Sequence, residues 1–225
     1  MSAALLTDAA RRELLPTGAL RLAVNIANAE MAAETSPGRF EGKAIDLSRR
    51  LAADWSIPVV ILPFASGGAI LGDLEAWDAA VLAVEPSRRD RLHFLPPFAR
   101  VDATLATLGR SDISTCLDAD APGVRIAVVR GAAYTVHLEA STAQAELVPF
   151  DSPRDARAAL LDGTCDVVAG IRSTLAGLAR ENAAVRLMED DVLCIPQALA
   201  IALGKPNAQA ALDTWFAARA EPAAL

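Results

Sequence analysis

The stretch VEPSRRDRLHFLPPF, residues 84–98, sets Glu85 and Arg88 three positions apart at the end of an apolar run, with Pro86 between them and Arg89 and Arg91 just beyond. A guanidinium is a planar fork of donors that matches a carboxylate, and it keeps its charge in an enclosed site. Pro86 fixes the local φ and stiffens the presentation of both charges. Catalytic chemistry is less well served. His93 and His137 have no Ser, Cys or carboxylate partner at a recognisable spacing. No phosphate-binding glycine loop, H-E-x-x-H or calcium-loop pattern occurs either. Cys116, Cys165 and Cys194 are an odd number without C-x-x-C spacing, so they indicate neither a disulfide framework nor a zinc site, and three buried thiols are expected. No catalytic residue, metal or cofactor is assigned.

Composition narrows the function classes. The chain has 225 residues, of which 53% are hydrophobic, enough to bury the core of one large domain or of two small lobes. A net charge of -7 and only 4% aromatic residues argue against a nucleic-acid surface. No apolar run approaches the ~18 residues of a membrane-spanning helix. The opening MSAALLTDAARRELLPTG lacks the basic start and continuous apolar core of a signal peptide, so the chain as written is expected to be cytoplasmic.

The charged turn must be positioned by the elements around it. Short Val/Ile/Leu/Ala runs at 20–25, 58–63, 78–84, 124–129, 146–150, 166–171 and 198–203 read as strands buried on both faces. Helix-like segments at 44–55, 152–163 and 208–220 lie between them, the second opening on Ser152-Pro153 and stopping at Gly163. The alternation implies α/β layers with largely parallel sheets. A faint internal repeat divides the pattern: GALRLAVN (18–25) resembles GVRIAVVR (123–130), and later in each half an Asp opens a strand in LEAWDAAVLA (74–83) and LDGTCDVVAG (161–170). Residues 102–109 and 192–203 read as two extended crossings between these halves. A turn after a strand lies at the edge where open α/β sheets present groups to ligands, so Glu85 and Arg88 are expected in a cleft rather than a core.

Taken in order, GALRLAVN, AIDLSRRLA, WDAAVLAVEPSRRDRLHFLPPF, GVRIAVVRGAAY and LLDGTCDVVAG resemble the type II periplasmic solute-binding proteins, the family 3 extracellular binding proteins, over about residues 18–207. Asp78, Pro86, Arg88, Phe94, Pro97 and Phe98 fall in register with that family's Asp-opened strand, T-P-x-R turn and F-S-x-P-Y segment. The resemblance implies an α/β, two-lobed fold with a ligand cleft between lobes joined by two hinge strands. Lobe 1 would comprise residues 1–105 plus 195–225 and lobe 2 residues 106–194. It implies that Arg88 grips a carboxylate, while Arg89 and Arg91, outside the register, face solvent.

Departures from the family pattern are informative. Glu85 replaces the Thr of the turn, and the hydroxyl-bearing loop of the second lobe is Gly131-Ala132-Ala133-Tyr134, leaving backbone N–H groups at a helix start to cradle an anion. The acid that pairs with a ligand's ammonium, about five residues past Asp166, is replaced by Gly170-Ile171-Arg172. Glu85 then either substitutes as the ammonium partner or neutralises Arg88 and Arg172, and Arg172 is the next candidate for the anion. Asn25 and Asn28 either contact a ligand or organise a turn, and Tyr134 either walls the cleft or joins the core.

The function implied by the resemblance is capture of a small anionic, carboxylate-bearing and possibly amino-acid-like solute, as the monomeric binding component of an ABC-type uptake system with a permease as partner. That role would place the protein in the periplasm if further residues precede this N-terminus. Two alternatives stand beside it. One is a cytoplasmic prephenate or cyclohexadienyl dehydratase-like enzyme on the same fold, with Glu85 as general acid or base, and the other is a stand-alone ligand sensor.

Overall fold

The computed structural model describes residues 6–109 and 112–219, so the lobe ends expected at residues 1 and 225 lie outside the described residues. After α1 (Asp8–Leu14), the chain forms β1 (Leu20–Asn25), a hairpin of β2 (Ala33–Ser36) and β3 (Arg39–Glu41), α2 (Lys43–Trp55), β4 (Val59–Phe64), α3 (Gly67–Gly72) and β5 (Ala79–Ala83). A 3-10 turn at Pro86–Arg88 and the short β6 (Leu92–Phe94) lead into the long β7 (Ala99–Leu108). Next come β8 (Arg125–Val129), α4 (Ala133–Ser141), β9 (Glu146–Phe150), α5 (Pro153–Leu161), β10 (Val167–Ile171), α6 (Arg172–Glu181) and β11 (Val185–Leu187). The long β12 (Leu193–Ala202) and α7 (Pro206–Ala217) finish the fold.

Hydrogen-bonded strands follow the order β4-β1-β5-β12-β7-β10-β8-β9. Within each half the pairs are parallel, β1 with β4 and β5, and β8 with β9 and β10. β7 and β12 pair antiparallel with each other and with the half on either side. The largely parallel arrangement expected from the sequence therefore holds inside each half, and the antiparallel pairs arise because the outgoing and returning crossings lie side by side.

Both halves are built around the same device. The Arg21 backbone N–H and its Nε donate to Asp78 Oδ2 at 2.9 and 3.0 Å, and Nη2 donates to Asp78 Oδ1 at 2.9 Å and to the Glu75 carbonyl. In the second half Arg125 makes the corresponding bonds to Asp166 at 2.9, 3.1 and 3.1 Å, with Nη2 also donating to the Gly163 carbonyl. Each Asp stands just before the strand that follows β1 or β8 in the sheet, so the fork locks register between neighbouring strands.

Apolar packing separates into two bodies. Leu22, Val24, Trp55, Val101, Leu199 and Trp215 share one core, extended by Trp77, Leu82 and Leu92, while Ala103, Leu105, Val128, Leu160, Val168 and Ile195 share another. The changeover falls between Val101 and Ala103 on β7 and between Ile195 and Leu199 on β12. Leu105, on the first-lobe side of the boundary read from the sequence, thus packs in the second core.

Candidate functional site

A cavity of about 90 Å³ lies where the two cores face each other, several times the space one water needs. Its wall receives Asn25 and Asn28 from the end of β1, Ser66 and Gly67 from the start of α3, and Arg88 from the 3-10 turn. From the other side come Gly131 to Tyr134 at the start of α4, Arg157 of α5 and Thr174 of α6, with Gln197 of β12 between the halves.

Arg88 is only 6% exposed, whereas Arg89 and Arg91 are exposed. The difference follows from the short turn. Pro86 and the 3-10 hydrogen bonds fold Arg88 back under β5, where Nη1 donates to the Ala83 carbonyl at 3.1 Å. Nη2 donates across to the Gly131 carbonyl at 3.4 Å and lies 2.6 Å from Glu85 Oε1. That carboxylate sits off the N–H direction, in ion-pair contact without a directed hydrogen bond. Burial pushes the Glu85 carboxyl up, against the opposing pull of Arg88, and pushes the Arg88 guanidinium down, against the pull of Glu85. Glu85 does not line the cavity; of the two roles open to it in the sequence, the structure gives it that of the counter-charge beside Arg88.

The two bodies touch at the mouth. Gly131 has φ +69°, a conformation that favours glycine, and a Cβ there would stand 3.7 Å from the Gly68 Cα. Besides the Arg88 bond, Thr174 Oγ1 donates to the Ala27 carbonyl at 3.5 Å. Behind Gly131, the Ala132 N–H is already donated to the Val129 carbonyl, which removes it from the expected anion cradle. The N–H groups of Ala133 and Tyr134, in the first turn of α4, have no protein acceptor among the described residues. Tyr134 does both things left open for it, packing in the second core and lining the cavity, and burial pushes its phenol upward.

Three polar side chains of the wall, Asn28, Arg157 and Gln197, stand out for want of side-chain hydrogen bonds among the described residues. Asn28 is 5% exposed, and its Oδ1 has no hydrogen-bond donor. Asn25, by contrast, organises its turn, Oδ1 accepting from the Ala27 N–H at 3.0 Å, while still reaching the cavity. Arg157 is half-buried on the wall and makes no ion pair or hydrogen bond among the described residues.

Arg172 departs from its expected place. It opens α6 and turns away from the cavity: Nε donates to Asp191 Oδ1 at 2.5 Å, and Nη2 to the Asp190 carbonyl at 2.6 Å and Thr104 Oγ1 at 3.1 Å. Asp190 and Asp191, 18 and 19 residues along the chain, hold this arginine outside the cavity lining. The expected burial of all three thiols also fails, since Cys165 alone is buried and Cys194 is exposed. The Cys116 thiol is pushed up to about 12, first by burial and then by Asp190. His93 pairs with Asp213 at 3.0 Å, and neither His93 nor His137 lines the cavity. No cluster of three or more His, Cys, Asp or Glu suited to a metal occurs among the described residues.

Sequence reasoning missed Gly67, Arg157, Thr174 and Gln197. Two of these left a trace: the Gly-Gly of FASGGA directly after a strand, and Gln197 as the one polar side chain of VLCIPQALAIAL.

Neither a family model nor a curated protein matches the sequence. Solved structures do match it. Holo ArgBP from T. maritima is similar with TM-score 0.78 at 17% identity, over 93% of this chain and 94% of that one. An ancestral amino acid-binding protein, a precursor of cyclohexadienyl dehydratase, is similar with TM-score 0.75 at 21% identity, over 92% and 91%. The substrate-binding protein of an amino acid ABC transporter is similar with TM-score 0.74 at 17% identity, over 89% and 92%. The chain has the two-lobed fold of type II periplasmic binding proteins.

Proposed function

We propose that this protein captures a small carboxylate-bearing solute in the cavity between its lobes and releases it chemically unchanged. The observation that carries the reading is the wall of that cavity, which holds Arg88, Arg157 and the open N–H groups of α4 at the junction of two separate cores. The solved structures of like fold that bind amino acids support the same role. The two lobes would divide close to the expected boundaries at 105 and 195, with Ala103, Leu105 and Ile195 moving with the second lobe and the changeover on β7 and β12 as the hinge. Arg88 would meet the anion while bridging the lobes, and Asn25 and Asn28 would supply polar contacts. An ABC-transporter permease would be the partner in uptake. No helix among the described residues is long and apolar enough to cross a membrane.

The dehydratase alternative needs an acid or base at the ligand. No Asp, Glu, His, Cys or Lys belongs to the described residues lining the cavity, and Glu85 is turned onto Arg88.

A thermal-shift screen of small carboxylates tests the proposal. A ligand at about 100 times its dissociation constant adds about 2.7 kcal/mol. At the ~2–4 °C per kcal/mol usual for chains of this size, the unfolding temperature should rise by roughly 5–10 °C. Stabilisation by neutral or cationic solutes, with none by carboxylates, would refute it.

A further inference from the structure

Resting on the capture reading, we infer that the cavity selects carboxylates that carry a hydroxyl and no ammonium group, with one carboxylate or two. The first ground is charge. Arg88 and Arg157 are the charged side chains among the described lining residues, and no carboxylate joins them. Glu85, the one acid close by, is 12% exposed and in contact with Arg88, so its charge is already balanced. Arg157 makes no ion pair among the described residues. The wall therefore carries one uncompensated positive charge, which favours an anion over a zwitterion. An α-amino acid would bring its ammonium into a cavity whose described lining holds two arginines and no acid to receive it, the arrangement that makes a desolvated charge costly.

The second ground is hydrogen bonding. The Asn28 Oδ1 is buried and unpartnered, and calls for one donor. A ligand hydroxyl supplies that donor without adding positive charge. The open N–H groups of Ala133 and Tyr134, beside Arg157 of the neighbouring α5, suit a carboxylate. The unpartnered side-chain amides of Asn28 and Gln197 on one side and an arginine with open helix N–H groups on the other together suit a hydroxy acid, or a dicarboxylate with a hydroxyl.

Matched pairs isolate the point, because lactate and alanine, malate and aspartate, and 2-hydroxyglutarate and glutamate each differ by a hydroxyl in place of an ammonium. Calorimetric titration of the wild-type chain with all six should give at least about tenfold tighter binding to the hydroxy member of whichever pair fits the cavity. Arg157→Gln should weaken that acid about tenfold and narrow the gap within the pair, while Arg154→Gln, exposed on the same helix, should leave both unchanged. Equal or tighter binding of the amino members overturns the inferred ligand class and leaves capture standing. Failure of all six, together with every other carboxylate of the thermal-shift screen, overturns both. The wild-type titrations decide the class even if Arg157→Gln does not fold.

Discussion

Arg88 pairs with Glu85 in the structure and would meet the anion on the capture proposal, and the two must be separated when it is tested. Charge-assisted hydrogen bonds contribute about 1.5–3 kcal/mol each, so Arg88→Ala should cost at least about tenfold in affinity, near 1.4 kcal/mol. Arg89→Ala, on an exposed neighbour, should bind almost normally. From the sequence alone Arg88 reads as a cleft residue whose removal spares folding. The structure adds that Arg88→Ala strands the Glu85 carboxylate at 12% exposure, and breaking a buried pair from one side costs about 3–5 kcal/mol. Glu85→Gln/Arg88→Met, which removes both charges, should recover much of the lost stability in urea unfolding and none of the lost affinity in calorimetry. Equal binding by the Arg88 and Arg89 variants would place the anion elsewhere. Arg88 could be found from its turn register, but Arg157 could not. PRDAR holds two arginines three apart on one helix, and only the packing of α5 decides that Arg154 is exposed and Arg157 reaches the cavity. The placing of Arg172 outside the cavity lining was illegible for a related reason, since Asp191 comes close to it only in the folded chain.

The paired Arg–Asp forks account for the repeat that the sequence showed as GALRLAVN and GVRIAVVR. They make the same bonds in different surroundings: Asp78 is fully buried and Asp166 is 40% exposed. Asp78→Ala should therefore lower stability by about 3–5 kcal/mol and Asp166→Ala by about 1 kcal/mol or less, as measured by urea unfolding. Equal losses would mean that strand register, not burial, sets their worth. Asp120 offers a pH test of a loop clamp. It accepts from the N–H groups of Ala143, Gln144 and Ala145, and these bonds hold its carboxyl below the usual range. A lowered folded pKa gives stability that is complete above the unfolded value of about 3.9 and is lost as pH falls through the folded value. The stability gap between wild type and Asp120→Ala should accordingly be constant near neutrality and close in acid. The buried strands were legible because continuous apolar runs have few other uses. The β2–β3 hairpin was not, since Ala33–Ser36 is mostly exposed and carries no apolar alternation.

On the capture proposal the two halves, joined by adjacent crossing strands, would turn against each other with the repacking confined to side chains such as Ile171, which packs against both cores, and Ala83, which packs against the second. The contacts across the mouth are few and long, Arg88 to the Gly131 carbonyl and Thr174 to the Ala27 carbonyl. On the capture proposal such contacts would hold a closed form weakly enough for a ligand's own bonds to decide the equilibrium. The division into lobes was readable in the sequence from the repeat and the two extended crossings; where the cores change over depends on which side chains of β7 and β12 face which half, and strand pattern alone does not give that. Capture without chemistry is the central claim, and recovery of the ligand tests it most directly. A carboxylate that raises the unfolding temperature is incubated with the protein, the complex is separated from free solute, the chain is denatured, and the released molecule is weighed by mass spectrometry. One unaltered solute per chain is expected, however long the incubation. A product of different mass accumulating with time would contradict it.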